Sequence, residues 1–265
     1  MPSFMIHTIA GEKMIKKLNL QEEDKKKFFI SNLLPDTVDR KYYKEYKGAE
    51  RRARKQQIKR ITHFRTDYSH TFEYPNLEYF LSKYEEQVKV DINFLAYFFH
   101  LYTDYYYFAK YLPTIITFYD KDHKESKSRS ENVTVEIKNY HTEIDHEDFW
   151  DNFGDKSIYS DYSRLNQYLI SKYKLSFETD ELINYLNSTN YNVDMEEINP
   201  SLAIQALNNL KRIVTESLKQ PEEKLKIFTI DQIENLMDET VSTFLETYGY
   251  LLEGYKEKGA KSCTI

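Results

Sequence analysis

The chain is expected to be all-α, and three observations carry that expectation. Glycine and proline number only six each among 265 residues, so few positions force a turn or break a helix. Apolar residues recur at three- and four-residue spacing along most of the chain. Only residues 114–137 depart from this pattern. There TIITFY and NVTVEIK read as strands on either side of the polar DKDHKESKSRSE, which predicts a β-hairpin or loop inserted between helices. The expected organisation is one helical domain over 1–265, with an N-terminal half to 112, the insertion at 114–137 and C-terminal helices over 141–252.

The elements follow in order. Ile6, Ile9, Met14, Ile15 and Leu18 lie at helical spacing with Ser3 as N-cap, so 4–18 is a helix. Gly11 lies inside it. Glycine costs about 1 kcal/mol in a helix interior, which implies that something packs closely at that point. A second helix over 21–31 must stop before Pro35, leaving Asp36 of NLLPD in a turn or extended segment. Residues 40–60 hold ten Lys/Arg against two Glu with weak apolar spacing, which reads as an exposed helix or a mobile segment. After Pro75, an apolar stripe from Leu77 to Val88 predicts an amphipathic helix. Asp91 then caps a helix of about 20 residues that is expected to end before Pro113. Helices resume at 141–153, 161–173, 179–187, 200–218 and 230–252, with caps at Ser160, Thr179, Asn199 and Thr229.

Bulk properties exclude several classes. Charged residues at 30% and hydrophobic residues at 40% fit a chain with a core rather than a disordered one. The net charge of −6 argues against a nucleic-acid coat protein, although a local basic patch is compatible with it. The single cysteine, Cys263, permits no internal disulfide and fits a reducing compartment. No apolar run approaches about 18 residues, so no membrane-spanning segment is expected. The N-terminus lacks the pattern of a signal peptide, and the cytoplasm is the expected location.

The helix NFLAYFFHLYTDYYYF at 93–108 is apolar nearly all round, yet it carries His100 and Asp104 one turn apart on one face. A carboxylate in such surroundings is costly unless it is paired or bound to a cation. A helical His-xxx-Asp offers one nitrogen and one oxygen to a metal ion without distorting the backbone. A buried His–Asp hydrogen bond, or an aspartate neutralised by arginine, accounts for the same pair without a metal.

Further histidines and carboxylates precede this pair: His7 in MIHTIAGE, Asp36 in NLLPD and His63 in THF. In this order and context the set resembles the zinc-dependent phospholipase C family and, more loosely, the single-strand-specific nucleases that share its helical fold. The likeness spans about residues 1–112. It implies a multi-helix bundle and a metal site built from His7, Asp36, His63, His100 and Asp104. Where the family has a second helical His-xxx-Glu, this chain has His141 and Asp145 in HTEID at the same spacing. Secreted members also use the amino group of their mature N-terminus as a ligand, which is not expected here. One or two ions follow rather than three.

His and carboxylate ligands without thiolates suit zinc, manganese or iron. The resemblance implies hydrolysis of phosphoesters by a metal-bound hydroxide, with Asp36 both a ligand and the residue that orients or deprotonates the water. Substrates would be phosphate-containing small molecules or lipid head groups, with nucleic acid ranked below them. Arg65 is a candidate phosphate ligand, since guanidinium forks match phosphate oxygens, and Asp161 is a second candidate on the substrate side. His70 is a possible extra ligand. An HD-type phosphohydrolase ranks lower, because no His-Asp dipeptide occurs. The non-enzymatic alternative is a helical binding module whose basic segment 40–60 recruits a polyanion.

Overall fold

Ser3 opens the first helix by accepting the Ile6 N–H, and α1 (Phe4–Leu18) runs to Asn19, whose left-handed backbone ends it. The computed structural model describes residues 3–67, 71–151, 154–175, 178–221 and 223–255, so His70 and Cys263 lie outside the described residues. α2 (Glu22–Ser31) ends at Asn32, and a short turn carries the chain through Pro35 to Asp36. The basic segment forms α3 (Gly48–Thr62), closed by His63. α4 (Leu77–Val90) and α5 (Ile92–Tyr106) are capped by Asn76 and Asp91.

α5 is the central element. Every residue from Ile92 to Asp104 is buried, and the helix packs against α1, α2, α4 and α11 (Ile230–Tyr248). Its aromatic residues fill the space between these neighbours: Phe80 stacks on Phe98, and Phe244 meets Phe99 edge-on with centroids 5.2 Å apart. Full burial of each such ring contributes about 1.5–3 kcal/mol, so α5 is held by packing and not by helix propensity, which its aromatic residues lower.

The helix does not stop before Pro113. A π-helical stretch at Tyr107–Tyr111 leads into α6 (Leu112–Ile115), with Pro113 in its first turn.

The insertion holds the expected hairpin and one strand more. β1 (Ile116–Tyr119) pairs antiparallel with β2 (Thr134–Ile137), placing Ile116 opposite Ile137. β2 pairs in turn with β3 (Thr142–Asp145), which begins where a helix over 141–153 is expected from the spacing. The helix there is only α7 (His146–Trp150). The reason is local: Val135 faces Ile144 across the pair and both are buried, so alternation by twos wins over a four-residue repeat.

The C-terminal helices are α8 (Ile158–Lys172), α9 (Thr179–Ser188), α10 (Ala203–Ser217) and α11, each within a few residues of its expected range. Thr229 and Gln232 form a reciprocal capping box on α11. The molecule is mostly helical with one small antiparallel sheet, and among the described residues no helix is long and apolar enough to cross a membrane.

Candidate metal centre

Five side chains from four separate parts of the chain meet beside α5. His7 comes from the first turn of α1, Asp36 from the turn after α2, His63 from the end of α3, and His100 and Asp104 from α5. His7, His63, His100 and Asp104 are 0% exposed. The ligand atoms of His7, Asp36 and His100 lie within 4.8 Å of one another, as do those of His63, His100 and Asp104.

Backbone carbonyls orient two of the rings. His100 Nδ1 lies 2.7 Å from the Asn32 carbonyl oxygen, and His63 Nδ1 lies 2.9 Å from that of Lys59. A carbonyl only accepts, so Nδ1 carries the proton in both rings and each neutral ring presents a bare Nε2 to the centre. This is the usual outer support of a metal-binding histidine, whose second nitrogen donates to a carbonyl or carboxylate.

The result is a crowd of acceptors. The two Nε2 atoms are 3.4 Å apart, and His63 Nε2 also lies 3.3 Å from Asp36 Oδ1 and 3.5 Å from Asp104 Oδ2. His7 stacks on His100 at 3.8 Å with its Nε2 3.3 Å from Asp104 Oδ1, yet neither His7 nitrogen nor Asp104 Oδ1 has a hydrogen-bond partner among the described residues. Buried polar atoms without partners are rare and costly, and lone pairs converging on one point call for a cation.

The electrostatics point the same way. Burial holds the His63 imidazole below its ordinary value and the His100 imidazole well below it, so both are kept neutral and ready to ligate. Burial would raise the Asp36 carboxyl, but Lys59, His63 and His100 outweigh it and hold Asp36 well below the ordinary range. Asp104 is likewise pushed up by burial and pulled well down by His7, His63 and His100 as imidazolium; with those rings neutral, the cations that hold the carboxylates ionised are Lys59 at Asp36 and Arg65 at Asp104. The donor set therefore fits a divalent ion: neutral imidazoles, ionised carboxylates and no thiolate. His100 belongs to both triads, and its Nδ1 is taken by Asn32, so its single free lone pair serves one ion. A second ion would need the remaining ligands, with a carboxylate bridging.

Three residues support this centre, and of them only Gly11 is marked in the sequence, by its place inside a helix. Asn32 supplies its carbonyl to His100 and donates its side-chain amide to the His7 carbonyl at 2.8 Å. Gly11 makes room for that amide, because a Cβ there would stand 2.7 Å from Asn32 Nδ2. Lys59 donates from Nζ to Asp36 at 3.2 Å while its carbonyl orients His63.

The other expected residues divide. Arg65 is buried with its guanidinium 3.4 Å from Asp104 Oδ2, at the edge of the cluster. Asp161 is fully buried and already saturated. It accepts the backbone N–H groups of Lys226, Ile227 and Phe228 at 2.8–3.0 Å and pairs with Arg164, so it anchors the segment before α11 and has no oxygen left to meet a substrate. His141 and Asp145 do not join the centre. His141 is exposed in a left-handed turn (φ 48°), and Asp145 is exposed at the end of β3. Four residues along a strand span about 13 Å, whereas the chelating geometry of that spacing exists only on a helix. The other histidines of that region are engaged elsewhere: His146 Nε2 accepts from Trp150, and His123 stacks on Tyr119.

The centre opens on a cavity of about 870 Å³. Asp36, Lys59 and Arg65 form its inner end, α3 forms one wall, and Arg212 of α10 and Tyr159 and Tyr162 of α8 face it. No protein-family model matches this chain, and comparison with curated proteins and with solved structures likewise returns no match.

Proposed function

We propose that this protein is a metal-dependent phosphoesterase on a helical bundle of the zinc-dependent phospholipase C type. The reading rests above all on the unprotonated His63 Nε2, which meets His100 Nε2, Asp36 Oδ1 and Asp104 Oδ2 at 3.3–3.5 Å in a buried pocket, an arrangement of acceptors that a cation relieves. His7, His63, His100, Asp36 and Asp104 would hold the ion, which is zinc or a similar divalent metal. Such an ion supplies Lewis-acid chemistry and acidifies a water molecule.

The chain's own residues do the rest. Arg65 and Lys59 line the inner end of the cavity, where their cations would draw in a phosphate and hold its oxygens. Asp36 keeps its carboxylate ionised, which suits it to ligate and to orient a water, and less to take up a proton near neutrality. The aromatic shell of α5 and the burial of the cluster exclude bulk water. A reducing, cytoplasmic setting belongs to the same proposal, on the single cysteine in 265 residues.

The test is elemental analysis of the purified protein followed by assay of bis(p-nitrophenyl) phosphate and p-nitrophenyl phosphate. Near-stoichiometric transition metal and chelator-sensitive hydrolysis, both lost in His100→Ala, are expected. Metal-free protein whose stability no divalent ion raises would overturn the proposal.

A further inference from the structure

The cavity outside the metal centre carries more positive charge than one phosphate requires. Arg40, Arg52, Lys55, Lys59, Arg65 and Arg212 all line it, against the single carboxylate of Asp36. This excess stands in a chain whose net charge is −6. Asp36 is already engaged by Lys59. Arg40, Arg52 and Lys55 make no ion pair among the described residues, whereas Arg212 is paired with Glu216. Neighbouring cations are thus left facing a shared space.

Their placement is ordered. Positions 52, 55 and 59 recur at helical spacing and form one face of α3, the face that lines the cavity. From Lys59 at the inner end to Arg52 at the outer end the helix rises about 10 Å. A phosphate seated at the metal centre can touch Lys59 and Arg65 but lies out of contact with the outer pair. Arg51 and Arg54, by contrast, do not line the cavity; their guanidinium groups lie over the rings of Tyr43, at its rim, and Tyr46.

We infer that the Arg52–Lys55 face of α3, with Arg40 beside it, is a subsite for a second phosphate group of the substrate. This rests on the phosphoesterase reading, since it takes the first phosphate to lie at the metal centre. The substrate class is a small molecule bearing two or more phosphates, either a nucleoside polyphosphate or a phosphorylated polyol. The size of the cavity falls in the range of small-molecule sites, about 300–1,000 Å³. The cations line a concavity that ends at a cluster exposed only at Asp36, a form suited to a slender anion and not to a duplex or a membrane.

The experiment is calorimetric titration of the full chain with inorganic phosphate and with pyrophosphate, comparing wild type with R52Q/K55Q and with the control R51Q/R54Q. Both pairs are exposed, so neither change disturbs the core. Each charge-assisted contact is worth about tenfold in affinity. Wild type and R51Q/R54Q are expected to bind pyrophosphate at least tenfold more tightly than phosphate, and R52Q/K55Q to bring that ratio close to one. Adenosine diphosphate and fructose 1,6-bisphosphate then distinguish the two sources, and tighter binding of either supports the subsite. An unchanged ratio in R52Q/K55Q overturns it. So does a wild type with no preference for pyrophosphate that instead binds oligodeoxythymidine or phosphatidylserine vesicles through Arg52 and Lys55. Absence of bound metal and of hydrolysis, with the pyrophosphate preference intact, would remove the phosphoesterase reading and leave the anion subsite standing.

Discussion

Gly11→Ala is the most informative single change, because two well-understood effects oppose each other at that position. In an ordinary helix interior the substitution stabilises by about 1 kcal/mol. Here the new Cβ would stand 2.7 Å from Asn32 Nδ2 and 3.3 Å from Asn32 Cγ. Asn32 is 1% exposed and has two obligations: its amide donates to the His7 carbonyl at 2.8 Å, and its own carbonyl accepts from His100 at 2.7 Å. Rotating the side chain away breaks the first bond, and shifting the backbone breaks the second. Overpacking costs about 1–3 kcal/mol and a buried unmade hydrogen bond about 1–3 kcal/mol more. Set against the propensity gain, the net expectation is a loss of about 3 kcal/mol. Displacing an outer support of a metal-binding histidine should also weaken metal affinity by about 10- to 100-fold. Urea unfolding in chelator measures the first quantity, and zinc competition against a chromophoric chelator measures the second. A Gly11→Ala protein that is more stable than wild type and binds metal unchanged would refute the reasoning, because Asn32 would then be shown to yield at no cost.

Other expectations concern the same buried groups. In chelator, stability should fall with acid. His63 and His100 are depressed when folded, so the unfolded chain takes up protons first, and their contribution is complete above about pH 6.5 and declines below it by at most about 1.4 kcal/mol per pH unit for each histidine. Asp36 and Asp104, also depressed, add a further loss below about pH 4; urea midpoints from pH 8 to 5 that do not change would contradict the first part. Asp161→Ala strands three buried or half-buried backbone N–H groups and should cost about 3 kcal/mol or more in chemical denaturation, and a normal midpoint with lost phosphate binding would restore it to the substrate side. His141→Ala and Asp145→Ala should leave metal content unchanged by elemental analysis, since both side chains are exposed on the sheet.

What could be read from the sequence was what local spacing encodes. His100 and Asp104 share a helix, so the one-turn geometry that joins them is written in their numbers. His7, Asp36 and His63 sit on separate segments, and only the likeness in their order linked them to that pair. The supports were invisible for a physical reason: the carbonyls of Asn32 and Lys59 that set the two imidazole tautomers belong to the backbone, which every residue carries. Asp161 misled because its partners, the amides of 226–228, lie more than sixty residues away and any sequence can supply an amide. HTEID shows that a four-residue interval alone does not specify a helix. Thr142 and Ile144 already alternate as a strand does, and pairing with β2 decides which repeat prevails. The cationic wall, finally, was legible in kind but not in form. Ten basic residues in 40–60 read as an exposed or mobile charged segment, with polyanion recruitment as an alternative, and only the fold of α3 separates Arg52, Lys55 and Lys59, which line the cavity, from Arg51 and Arg54, which do not. That division turns a diffuse charge bias into a site with a length and a direction, which is why the two pairs of glutamine variants should behave differently although each removes the same charge.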